Sequence, residues 1–298
     1  MNIGGIIAAM ATPMHEDGTI NEAELRNQVN RQINAGMNGI FCLGTNGEAY
    51  ILSKEEKIRV MEIFVEEARG RVPVYAGTGC VGTKDTIELS QKAQEIGVST
   101  LSIISPYFAA INQTEIYEHY AAIAKSVDLP IVMYNMPART GNNIDYTTAS
   151  KLAENFKNVA GIKDSSGNFD NILRYIESTD KETFSVLSGN DSLILWTLMA
   201  GGKGGITGVA NILPDIMVSI YKHWNEGDFE KAKEAQDSIR PIRDCFKYGN
   251  PNSIVKRAAN LIGQPLGPCR KPFGMVSKDA DEAIINTIKK YYSQYANI

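Results

Sequence analysis

Histidine is scarce. His15, His119 and His223 are scattered over predicted turn and helix positions, so a metal-dependent chemistry would lack the clustered ligands it needs, and each is expected at the surface. The four cysteines, Cys42, Cys80, Cys245 and Cys269, include no C-x-x-C pair. In a chain too long to need staples this argues against a disulfide framework and for reduced, buried thiols of a cytoplasmic protein. Blocks of like charge are also missing: 30 Lys and Arg are interspersed with 34 Asp and Glu, for a formal net charge of −4. A nucleic acid would find no basic stripe to follow. No window approaches the ~18 consecutive apolar residues of a membrane span. The apolar stretch G-G-I-I-A-A-M-A at 4–11 has no cation before it, the first arginine being Arg26, and reads as a strand rather than a signal peptide. The expectation is a soluble protein with neither membrane nor nucleic acid as partner.

What the chain does have is rhythm. β-rich apolar runs recur at Gly5–Ala11, Gly39–Leu43, Val72–Ala76, Thr100–Ile104, Ile131–Tyr134, Val159–Ile162, Phe184–Leu187 and Gly205–Val209. Segments of helical spacing lie between them, such as Ile58, Met61, Phe64, Val65 and Ala68, opened by the capping-box pattern Ser53-x-x-Glu56. Strands this uniformly apolar belong in a parallel sheet covered by helices. Units of about 30 residues suit a closed (β/α)8 TIM barrel, for which ~250 residues are typical, with an open doubly wound sheet as the competitor. Beyond Asp228 the strand signal stops and helical patterns follow at Phe229–Phe246, Asn252–Leu261 and Asp279–Tyr295. The expected α/β organisation is a barrel over 1–226 with a C-terminal three-helix extension over 227–298.

In a parallel barrel the residues just past the C-terminal strand ends share one face, where chemistry is built. On that face would meet G-T-N-G-E (Gly44 to Glu48), Y-N-M-P-A-R-T-G (Tyr134 to Gly141), Lys163 and S-G-N-D (Ser188 to Asp191). Lys163 closes the apolar run V-A-G-I-K. Apolar surroundings disfavour its charged form and favour the neutral amine, the nucleophile. Attack on a ketone leads through a carbinolamine to a protonated imine, an electron sink that stabilises a carbanion at the adjacent carbon and supports carbon–carbon chemistry without metal or cofactor. The Tyr134 hydroxyl can shuttle the protons. Thr45, Asn46 and the amides of the glycine-flanked turn, Gly47 included, can hold a substrate carboxylate, and Arg139 can clamp a second one. Taken singly, each residue has an ordinary reading: a snorkelling lysine, a core tyrosine, a tight turn, a structural ion pair. Their convergence on one face is what favours catalysis.

Read together, A-T-P near residue 11, G-T-N-G-E, G-T-G (Gly77 to Gly79), S-P-Y near 105, Y-N-M-P-A-R-T-G, G-I-K-D, S-G-N-D and N-P-N-S-I-V-K near 250 resemble, nearly end to end, the dihydrodipicolinate synthase and N-acetylneuraminate lyase family. These are pyruvate-dependent class I aldolases on a (β/α)8 barrel with a helical extension. The resemblance implies Lys163 as the Schiff-base residue and Tyr134 as relay and pyruvate anchor. It implies amides at Thr45 and the next position under the pyruvate carboxylate, Ile206 beside the imine, and Gly189 and Asp191 in the loop after strand seven. Arg139 would meet the carboxylate of an aldehyde acceptor, and the assembly would be a homotetramer of paired dimers. Two positions depart from most synthases: Asn46 replaces a second Thr, and Phe108 replaces a relay tyrosine that reaches a neighbour's site. The altered set Tyr50, Lys54, Lys57 and Val81 argues against assuming feedback by lysine.

Other readings stay open. P-C-R-K-P-F-G (Pro268 to Gly274) is lyase-like, and an N-acetylneuraminate lyase or an aldolase for 2-keto-3-deoxy sugar acids would accommodate Asn46 and Phe108. Yet Asp191 is followed by Ser192 rather than a second acid. A non-catalytic keto-acid-binding relative is an alternative of another class. Gly77 to Gly82 spells G-x-G-x-x-G between a strand and a helix, but the next strand offers no acid at its tip for a ribose.

Overall fold

The computed structural model describes residues 3–295. Its eight strands are β1 (Gly5–Ala9), β2 (Gly39–Cys42), β3 (Val74–Gly77), β4 (Thr100–Ile104), β5 (Ile131–Asn135), β6 (Val159–Asp164), β7 (Ser185–Ser188) and β8 (Gly204–Thr207). They pair in parallel in chain order, and β8 returns to β1 through Gly5↔Gly204 to Ala8↔Thr207, closing the ring. The open doubly wound sheet is thereby excluded, and the fold is a (β/α)8 TIM barrel with C-terminal helices.

Closure explains the missing polar alternation. Successive strand residues point to opposite faces, and here both faces are dry. Ile7, Ala9, Phe41, Tyr75, Val132, Leu187 and Ile206 fill the barrel, while Ile6, Ala8, Ile40, Ala76 and Met133 pack outward against the helices. Helix Lys54–Ala68 is built as its sequence suggests. Ser53 Oγ accepts from the Glu56 amide at 3.2 Å and Glu56 Oε2 accepts from the Ser53 amide at 2.8 Å, a cap worth about 1 kcal/mol. Val60, Met61, Ile63, Phe64 and Ala68 form its buried face.

Among the departures from the sequence expectation are two element boundaries and one side-chain placement. β6 runs on through Lys163 and Asp164 rather than stopping at Ile162. The expected helix Phe229–Phe246 divides into Phe229–Ser238 and Arg240–Asp244, because Pro241 has no N–H to continue the ladder. His119 is buried rather than at the surface. It shares a helix face with Ile116, Tyr120 and Ile123, and its Nδ1 lies 2.9 Å from Thr83 Oγ1.

The boundary proposed at 226/227 falls between helices Pro214–Asn225 and Phe229–Ser238. One apolar cluster nevertheless runs from barrel residues to Ala232, Ile239, Ile254 and Ile284. The outermost positions of the two expected ranges, 1–2 and 296–298, lie outside the described residues. Helix Pro251–Leu261 comes back over the C-terminal end of the barrel, where Asn252 Nδ2 donates to Thr45 O at 2.8 Å. Among the described residues no helix is long and apolar enough to cross a membrane.

Candidate active site

The parallel register sets Lys163 of β6 directly beside Tyr134 of β5 and Leu187 of β7. Its neighbours Ile162 and Asp164 point outward, so Lys163 projects into the barrel, 4% exposed. Nζ lies 3.9 Å from the Tyr134 ring centroid and 5.2 Å from that of Phe41. Among the described residues Lys163 makes no ion pair and has no counter-ion. Asp164 does not serve as one. Burial pushes its carboxyl up, opposed by hydrogen bonds from Ser166, Asn135 and Asn171. Gly189 makes room for the lysine stem: a Cβ there would stand 2.8 Å from Lys163 Cε and 1.9 Å from Ser165 Oγ.

The β2 end supplies the second component. Thr45 Oγ1 lies 3.2 Å from Tyr134 Oη, so the two hydroxyls form a hydrogen-bonded pair. Tyr134 Oη also meets Met136 Sδ at 2.9 Å, a weak acceptor that a substrate oxygen can outcompete. The Gly47 and Glu48 amides close the turn onto Gly44 O and Thr45 O at 3.0 and 3.1 Å. That spends Gly47's N–H within the turn. The Thr45 and Asn46 amides make no backbone hydrogen bond among the described residues and are the donors left for an anion. The Asn46 side chain turns instead to the end of β1, where Nδ2 donates to Ala9 O at 3.3 Å.

These parts share one pocket of about 140 Å³, lined by Thr45, Asn46, Tyr134, Arg139, Lys163, Gly189, Asp191 and Ile206 among others. Eight of the nine expected residues thus converge, Gly47 remaining in the supporting turn. Arg139 stands exposed on the short helix Pro137–Thr140 with no ion pair among the described residues. Asp191 is already engaged. Its Oδ1 accepts from the Gly208 and Val209 amides at 3.1 and 3.4 Å, and its Oδ2 from Arg243 Nη1 at 3.3 Å.

A second, more apolar pocket of about 310 Å³ lies across the Thr45–Tyr134 pair, walled by Phe41, Ile104, Tyr107 and Phe273 with Gly77 and Gly79 in its lining. The G-x-G of the dinucleotide-like motif is therefore a packing requirement: a Cβ at Gly77 would stand 2.0 Å from Leu43 O. Phe108, with φ of +82°, is 97% exposed on the loop after β4 and offers no hydroxyl to the Thr45–Tyr134 pair. Among the described residues no group of three or more His, Cys, Asp and Glu is arranged to hold a metal.

Several supporting residues carried no assignable role in the sequence. Glu48 and Lys256, 0% and 2% exposed, form an ion pair at 2.6 Å immediately behind the G-T-N-G turn. Asn252 holds the turn's carbonyl, Met136 plugs the hydroxyl pair, and Arg243 enters from the C-terminal helices. Glu48, Met136, Asn252 and Lys256 lie within the motifs read from the sequence, but only tertiary contact joins positions some 200 residues apart.

Residues 2–291 match the model of the Dihydrodipicolinate synthetase family. A 4-hydroxy-tetrahydrodipicolinate synthase of Methanopyrus kandleri is 39% identical over 97% of this chain and 96% of its own length. The crystal structure of a dihydrodipicolinate synthase from Aquifex aeolicus superposes with a TM-score of 0.95 at 32% identity, covering 99% of this chain and 100% of the other. The crystal structure of YagE, a prophage protein of the dihydrodipicolinic acid synthase family from E. coli K12 in complex with pyruvate, superposes at 0.94 with 28% identity, over 98% and 99% of the two chains.

Proposed function

The chain belongs to the dihydrodipicolinate synthetase family, and from that premise we propose that it is a class I, Schiff-base-forming aldolase acting on pyruvate, most like 4-hydroxy-tetrahydrodipicolinate synthase. Lys163 attacks the keto carbon of pyruvate, water leaves, and a protonated imine forms. Loss of a methyl proton gives the enamine, whose carbon adds to an aldehyde. Addition of water to the imine carbon of the adduct and expulsion of the amine restore the keto group and regenerate Lys163. The Tyr134–Thr45 hydroxyl pair moves the protons, the Thr45 and Asn46 amides hold the pyruvate carboxylate, and Ile206 and Gly189 shape the space beside the imine. Arg139, at the mouth with no ion pair among the described residues, receives a carboxylate on the acceptor.

The observation that carries the reading is the Lys163 amine, buried, without an ion pair among the described residues and 3.9 Å from the Tyr134 ring. Relatives named as synthases and a structural neighbour holding pyruvate support the substrate class. Arg139, with no ion pair among the described residues, favours a carboxylate-bearing acceptor over a neutral sugar aldehyde, and so a synthase over a sugar-acid lyase. The proposal extends to a cytoplasmic homotetramer of paired dimers, supported by the exposed Phe108, an apolar surface that assembly would cover. A monomer in sedimentation at working concentration would remove that last part. The chemistry is tested by adding pyruvate and borohydride and mapping the adduct by peptide mass. One covalent adduct on the Lys163 peptide is expected, and folded protein with that peptide unlabelled would defeat the proposal.

A further inference from the structure

We infer that Arg243 is a specificity-determining residue of this site, which together with Arg139 selects aldehydes that carry a carboxylate; the inference rests on the aldolase reading above. Arg243 belongs to helix Arg240–Asp244, outside the barrel strands, yet it lines the Lys163 pocket. Its side chain is 24% exposed. Three hydrogen bonds aim the guanidinium: Nε to Ser192 Oγ at 3.3 Å, Nη1 to Asp191 Oδ2 at 3.3 Å and Nη2 to Asn190 Oδ1 at 2.8 Å. The Phe246 ring, 5.1 Å from the guanidinium carbon, packs beside it. A guanidinium has five N–H donors, so one on each terminal nitrogen is left for a ligand.

Topology places this group opposite Arg139. Around the ring β6 lies between β5 and β7; Arg139 follows β5, and Arg243 is held against the loop that follows β7. Lys163 is thus bracketed by a guanidinium beside each neighbouring strand end. The charged side chains lining the pocket are Lys163, Arg139, Arg243 and Asp191, three cations and one carboxylate. Each guanidinium can meet a carboxylate on the acceptor, and an aldehyde without one leaves their free N–H groups unpaired. Arg243 also differs from Arg139 in being pre-aimed, so it binds a carboxylate with little ordering cost.

The test compares wild type with Arg243→Gln and Arg243→Lys, using aspartate semialdehyde as the acceptor with a carboxylate and glyceraldehyde as the one without. Borohydride trapping of pyruvate on Lys163 is expected to be unchanged in both variants, since imine formation needs no acceptor. For Arg243→Gln the kcat/KM for aspartate semialdehyde is expected to fall by about 10–100-fold, the worth of a lost charged hydrogen bond, with the glyceraldehyde value changing less than about 3-fold. Arg243→Lys, which keeps the charge but not the fork, should fall between. Equal losses with both acceptors in a folded variant would make Arg243 merely structural. A wild type that does not prefer the carboxylate-bearing acceptor, or forms the imine but turns over neither, would overturn the inference while leaving the lysine chemistry intact. A wild type that traps no pyruvate would end both.

Discussion

Replacing Lys256 by Met tests how the carboxylate-binding turn is held. Glu48 ends the G-T-N-G-E motif in a left-handed conformation, φ +57°, rare for a residue with a side chain. Its Oε1 lies 2.6 Å from Lys256 Nζ, and its Oε2 accepts the Arg270 amide at 2.9 Å. Both side chains are essentially inaccessible to water. Lys256→Met keeps the volume of the stem but leaves the carboxylate facing an apolar methyl group. Breaking a buried pair from one side costs about 3–5 kcal/mol, which at ~2 °C per kcal/mol in a large domain is a fall in Tm of about 6–10 °C. The double variant Glu48→Gln, Lys256→Met removes the stranded charge and should recover about half of that loss, a coupling of at least ~1.5 kcal/mol in a double-mutant cycle. Because the Thr45 and Asn46 amides belong to the same turn, the KM for pyruvate should rise with the single variant more than with the double. Urea unfolding followed by circular dichroism reads the stability, and steady-state kinetics reads the turn. A Lys256→Met protein within about 1 kcal/mol of wild type would show that the pair does not hold this turn, and the reasoning would fall.

Two further perturbations bear on the site and its frame. Gly189→Ala places a methyl group 2.8 Å from Lys163 Cε; displacing a reacting amine by about 1 Å should lower turnover on the order of 100-fold, and unimpaired trapping in the variant would contradict the assigned lysine position. Burial holds the His119 imidazole down at about 4, so above pH ~6.5 neither folded nor unfolded chain binds the proton and the full stability is present. As pH falls from ~6.5 towards 4 the unfolded chain binds more protons, and about 3 kcal/mol is lost. His119→Phe should flatten that part of the urea-midpoint profile, and superimposable profiles for the two proteins would refute the argument.

The order of strands and helices was legible because apolar runs and helical spacing are local: each strand is buried on both faces, so its whole length is apolar, and Ser53 and Glu56 write their own cap. The convergence of Thr45, Tyr134, Arg139 and Lys163 followed once eight parallel units were counted, since their number and direction put the strand ends on one rim. Closure itself was a tertiary matter. β8 and β1 are neighbours in the ring but come from opposite ends of the barrel sequence, Gly5 pairing with Gly204, and no local pattern separates that pairing from an open edge. The same applies to what supports the site. His119 was misread because one histidine on a helix does not reveal which face it lies on. The engagement of Asp191 by Arg243, the Glu48–Lys256 pair and the Asn252 contact to Thr45 join strand ends to a tail that local patterning described only as helical. Charge and side-chain type are written along the chain; which charges neutralise one another, and which are left for a substrate, depends on distances that exist only after the tail has folded back over the barrel.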